Sequence, residues 1–150
     1  MNLDNVTRDD WILGGIALVL VIDLLFLAWF DISVGPLSFS FTATDSPDGW
    51  LGILAVLSAL ALIADIAIER LTQTELPTIG GDRASTRKIL ATAAAGFVAL
   101  KFLFHIHFSL FGWGFYATVI LAAALLYLTI QARAGRPAVT FAPRPGPPAS

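Results

Sequence analysis

Apolar residues run through this chain in four stretches of similar length, Trp11–Phe30, Trp50–Ile68, Ile89–Phe108 and Leu110–Ile130. Each approaches the roughly 20 helical residues that cross a roughly 30 Å hydrocarbon core at about 1.5 Å per residue. The pattern predicts an all-α membrane protein, a four-transmembrane-helix bundle occupying residues 1–135. The first stretch does not read as a signal peptide. Its leader sets Arg8 against Asp4, Asp9 and Asp10, and no small-x-small cleavage site follows, so it is expected to stay as a helix.

Between the first two stretches the period changes. Leu37, Phe39 and Phe41 alternate with Ser38, Ser40 and Thr42, the two-residue repeat of a half-buried strand, and Gly35-Pro36 separates them from Asp31-Ile32-Ser33-Val34. This predicts a small extracellular β-hairpin between helices 1 and 2, lying over the bundle with its phenylalanines down; the competing reading is an irregular loop that dips its aromatics into the headgroups. Thr44-Asp45-Ser46-Pro47-Asp48 offers capping chemistry for the second helix, and Ser85 and Thr86 for the third. The tail, residues 136–150, is rich in proline and is expected to be a disordered cytoplasmic end.

Charge sets the orientation. Arg8 precedes the first stretch, Arg70, Arg83, Arg87 and Lys88 lie between the second and third, and Arg133, Arg136 and Arg144 follow the fourth, whereas Asp31–Gly49 holds only acids. By the positive-inside rule both termini and the middle loop are cytoplasmic, in a multi-pass protein of the plasma membrane. Composition agrees: 57% of residues are hydrophobic and the mean hydropathy is +0.78, so the expected surroundings are a lipid bilayer. A formal net charge of −2 gives no case for nucleic acid, and the absence of cysteine excludes disulfides, thiolate metal sites and thiol relays.

The candidate chemistry lies in the few ionisable groups inside the stretches, since charge at membrane depth is costly. Asp23 stands roughly 18 Å above the start of the first stretch, and Lys101 roughly 20 Å above Lys88, at about 1.5 Å per residue. Equal heights predict an Asp23–Lys101 ion pair between helices 1 and 3, with His105 on the Lys101 face one turn further out. That trio is either a structural device fixing helix register, or a proton or ion relay or polar binding pocket opening outward. Asp65 is expected at the inner interface, within reach of Arg87 or Lys88, and Asp31 and His107 are expected at the outer one. His105-x-His107 is poor chelating geometry on a helix, so no metal and no cofactor are expected.

Small residues at four-residue spacing, Ala91, Ala95 and Ala99 on helix 3 and Gly114, Thr118 and Ala122 on helix 4, predict close helix packing. Trp11, Trp29, Trp50 and Trp113 fall near stretch ends, as in an aromatic belt.

The Ala28-Trp29-Phe30-Asp31 exit from the first stretch, the alternating Leu37–Phe41 segment and Asp48-Gly49-Trp50-Leu51 together resemble small four-span integral membrane proteins of GC-rich bacteria that lack an assigned function. The resemblance covers roughly residues 11–132 and supplies no catalytic residues. Small multidrug resistance transporters share an acid in the first helix, but this chain departs from them in its hairpin, its long cytoplasmic connector, Lys101 and its charge bias. The expectation is a non-enzymatic membrane protein acting through helix packing, as an accessory or scaffold subunit or a small homo-oligomer. The alternative is a small transporter or conduit using Asp23, Lys101 and His105.

Overall fold

The structure, a computed structural model, describes residues 7–46, 48–72, 77–79, 81–104 and 111–133. These form four helices, α1 (Arg8–Phe26), α2 (Gly49–Thr72), α3 (Arg83–Phe104) and α4 (Trp113–Arg133), and an antiparallel hairpin of β1 (Phe30–Val34) and β2 (Leu37–Phe41). Each helix packs against its neighbours in the chain, and α4 closes the ring on α1, so α1 and α3 lie across the diagonal. Leu20 and Leu24 of α1, Ala59 and Leu62 of α2, Ala91 and Val98 of α3, and Leu125 of α4 meet in the core.

Among the described residues two helices, α2 and α4, are long and apolar enough to cross a bilayer. The other two carry more charge. Every 18-residue stretch of α1 contains Asp9, Asp10 and Asp23, and every one of α3 contains three of Arg83, Arg87, Lys88 and Lys101.

α1 begins in a capping box. The Thr7 hydroxyl accepts from the Asp10 N–H at 3.2 Å, and the Asp10 carboxylate accepts from the Thr7 N–H at 3.1 Å, so two donors left over at the helix start are satisfied reciprocally. The helix stops at Phe26, not at Phe30 as the apolar run suggested. Leu27 still donates to the Asp23 carbonyl at 3.0 Å but turns extended (ψ 144°). Beyond it Trp29 donates to the Phe41 carbonyl at 2.7 Å and Phe30 enters β1. An unbroken apolar run cannot signal this change, because hydrophobicity alone does not separate a helix from a buried strand. The predicted end of helix 3 beyond Phe104, and the tail from residue 134, lie outside the described residues.

The hairpin forms where its alternation placed it. Gly35 has φ +62° and Pro36 follows, a glycine at the first central position of a two-residue turn, which fits type II′. Register puts Phe30 opposite Phe41, Ile32 opposite Phe39 and Val34 opposite Leu37, so one face is wholly apolar, while Asp31, Ser33, Ser38 and Ser40 form the other. The hairpin does not lie flat with its phenylalanines down. Phe30 is buried, but Phe39 is 51% exposed and Leu37 60%. Only the base is sunk: Phe30 bridges to Phe111, and the carbonyls of Trp29 and Ala28 accept from Gly112 and Gly114 at 2.8 and 2.9 Å. Gly114 allows that approach, since a Cβ there would come within 2.8 Å of the Ala28 carbonyl.

Three local expectations change. The buried face of α3 runs through Ala91, Ala94, Val98 and Lys101, and Ala99 points outward. Asp45 closes the preceding turn instead of capping α2, accepting from the Thr42 N–H at 2.7 Å and the Thr42 hydroxyl at 2.9 Å. Asp82 accepts from the Ser85 N–H at the start of α3, while the Thr86 hydroxyl ties back to Ile79, accepting from its N–H at 2.8 Å.

Candidate functional site

Asp23 and Lys101 each stand three residues before the described end of their helices, so both sit at the hairpin end of the bundle. Both are buried, at 2% and 1% exposure. They stand at the same end of the bundle, but the expected ion pair between them does not form. No Asp23–Lys101 contact within 4.0 Å exists, because α1 and α3 face each other across the diagonal and other side chains fill the space between.

The intervening groups are Trp29 and Thr118. The Trp29 indole N–H donates to the Thr118 hydroxyl at 2.8 Å, and that hydroxyl bonds the Asp23 carboxyl and lies 2.8 Å from its own Gly114 carbonyl. The other carboxyl oxygen of Asp23 is buried without a hydrogen-bond partner among the described residues. On the far side the Lys101 ammonium lies 5.6 Å from the centre of the Trp29 ring, within cation–π range. It donates to the backbone carbonyl of Ala43, and to that of Asp45 at 3.3 Å.

Lys101 thus holds the turn that follows β2, and α2 accepts this turn closely. Ala43 is fully buried, and a Cβ on Gly52 or Gly49 would overlap the Ala43 or Thr44 carbonyl. Around Trp29 an aromatic cluster excludes water: Phe115 meets its ring edge-on at 5.5 Å, and Phe111 stacks on Phe115 at 4.0 Å. Trp29, expected in an interfacial belt, is core at 1% exposure. Trp11, Trp50 and Trp113 are exposed. His105 and His107 lie outside the described residues. Asp31 is exposed on the polar face of the hairpin, opposite Ser40.

The opposite end of the bundle holds a second polar group. Arg87 reaches Asp10 at 2.9 Å, Asp65 at 3.0 Å and Glu69, joining the first three helices. Arg83 meets Asp65 at 2.8 Å. Arg87 is one of the two cations expected near Asp65. Arg70 Nε lies 2.9 Å from Asp10, but its N–H is not aligned for a hydrogen bond. Asp10 and Asp65 are 4% and 6% exposed, so the arginines compensate acids that water does not reach freely.

Sequence reasoning missed Thr118 and Ala43. Thr118 was legible only as one member of a small-residue stripe, and a backbone carbonyl carries no sequence signal. Among the described residues no cluster of three or more His, Cys, Asp or Glu is placed to hold a metal ion. No family model, curated protein or solved structure matches the chain.

Proposed function

We propose that this chain is a four-span protein of the plasma membrane, with both termini cytoplasmic, that performs no catalysis and acts through its packed helices and its outward hairpin as an accessory or scaffold subunit or a small homo-oligomer. The observation that carries this reading is the uncovered apolar face of the hairpin. Three apolar cross-strand pairs line it, and only the Phe30–Phe41 pair is anchored in the core. Exposed apolar surface of this kind marks interaction sites. The buried polar residues favour the same reading, since Lys101 secures the turn behind the hairpin and Asp23 is tied to α4 through Thr118.

The chain has no cysteine, so single-cysteine labels report cleanly. Ser33→Cys is expected to react with an impermeant maleimide on intact cells and Ser85→Cys only after lysis; the reverse pattern overturns the orientation. Photobleaching of labelled chains in mild detergent counts copies per complex. Wild type is expected as an oligomer or a defined complex, and Phe39→Asp as a lone chain. A lone wild-type chain without a partner overturns the assembly reading.

A conduit is the second reading. It is favoured by one observation, the buried oxygen of Asp23 that has no hydrogen-bond partner among the described residues. Liposome flux that falls with Asp23→Asn supports it; absent or unchanged flux overturns it.

A further inference from the structure

At the end of the bundle away from the hairpin, α1 and α2 part to leave a groove of about 250 Å³. For scale, an apolar cavity of about 150 Å³ takes up benzene. Its α1 wall is Trp11, Gly14, Gly15 and Leu18, one face at three- and four-residue spacing, and Ile63 and Ala67 stand opposite on α2. The groove exists because two glycines lie in that wall: a Cβ on either would meet nothing within 4 Å. From Asp10 to Leu18, and from Ile63 to Leu71, it runs about 12 Å along the helices at about 1.5 Å per residue. Trp11 and Leu18 are 62% and 50% exposed, so the groove opens sideways, away from the core.

Chemistry changes at one end only. The lining is almost wholly apolar, and Arg70 and Asp10 stand together at one end of it. Arg70 meets Asp10 through Nε alone; its terminal guanidinium nitrogens have no acceptor among the described residues. Arginine forks match phosphate oxygens in geometry and charge.

We infer that this groove is a binding site for one membrane glycerophospholipid, an acyl chain lying along Gly14 and Gly15 and the phosphate at Arg70. The inference rests on the membrane reading above. In that setting the groove faces hydrocarbon, and the exposed Trp11 stands at the level where indole rings border headgroups. An apolar trough with an arginine at one end has the polarity profile of such a lipid. A soluble anion would use the fork and leave the trough empty, and a plain hydrocarbon would do the converse.

Native mass spectrometry of the full chain, purified in mild detergent and then supplied with defined lipids, tests this. Wild type is expected to retain one phosphatidylglycerol per chain. Gly14→Leu places its Cβ in open space and its side chain in the groove, so it is expected to fold and to lower occupancy at least tenfold. Arg70→Gln is expected to retain diacylglycerol as wild type does while losing its preference for phosphatidylglycerol over diacylglycerol. Equal lipid retention by wild type and Gly14→Leu overturns the proposal, as does an unchanged headgroup preference in Arg70→Gln. Extraction by alkaline carbonate separates the failures: a chain released from membranes sinks the membrane reading, whereas one that resists release but binds no lipid sinks only the groove.

Discussion

The indole N–H of Trp29 donates to the hydroxyl of Thr118 at 2.8 Å, joining residues 89 positions apart and placing the tryptophan between the buried Asp23 and Lys101. Thr118→Val keeps the shape but strands the indole N–H and removes the group bonded to Asp23. Each stranded buried polar group costs roughly 1–3 kcal/mol, so a loss of about 2–6 kcal/mol is expected. Thr118→Ser restores the hydroxyl and is expected to recover most of it. Reversible unfolding in detergent measures both.

Lys101 and Asp23 have separate partners, so their replacement is not compensating. Lys101→Leu removes charge-assisted bonds to Ala43 and Asp45, worth roughly 1.5–3 kcal/mol each at most. Asp23→Leu breaks the link to Thr118. The double leucine variant is expected to be at least as unstable as the worse single one. A double variant more stable than either would restore the ion pair.

Arg87 is shared by Asp10, Asp65 and Glu69. Its removal leaves buried carboxylates undercompensated, so Arg87→Ala is expected to cost about 3–5 kcal/mol. Lys88, one position on, joins no ion pair among the described residues, and Lys88→Ala is expected within about 0.5 kcal/mol of wild type. Thermal unfolding of the two variants side by side checks the contrast.

Two glycines separate close approach from mere flexibility. Gly52→Ala pushes a methyl into the Ala43 carbonyl, and overpacking of this kind costs roughly 1–3 kcal/mol. Gly96 has open space around it in the middle of α3, and Gly96→Ala is expected to stabilise by about 0.5–1 kcal/mol. Unfolding midpoints moving in the same direction would contradict the packing of the turn on α2.

The Thr42 N–H and hydroxyl hold the Asp45 carboxyl below its ordinary value, against a small opposing effect of burial and with a contribution from the Lys101 charge. A depressed folded value means that the turn gains stability at pH values above the unfolded aspartate value of about 3.9 and loses it as pH falls through the lower folded value. The Thr42 amide resonance is therefore expected to titrate with a midpoint below about 3.9, and Asp45→Asn to abolish the transition. A midpoint at or above the ordinary value contradicts the two bonds.

Helices, hairpin and the height of the polar groups were legible in the chain because they follow from local rules. Apolar runs mark where the helices lie, though not where they end, period-two alternation with Gly35-Pro36 sets the hairpin, and residue rise sets how far Asp23 and Lys101 stand along their helices. Those rules hold for one segment at a time. Partner choice is not local: it depends on which helices adjoin, and the ring places α1 and α3 on a diagonal that no spacing reveals. Trp29 looked interfacial because it ends an apolar run, yet folding turned it inward, where its N–H could reach Thr118. Lys101 looked like half of an ion pair because sequence shows side-chain charges and hides backbone carbonyls. Packing supplied those of Ala43 and Asp45 by drawing the turn down onto Gly52.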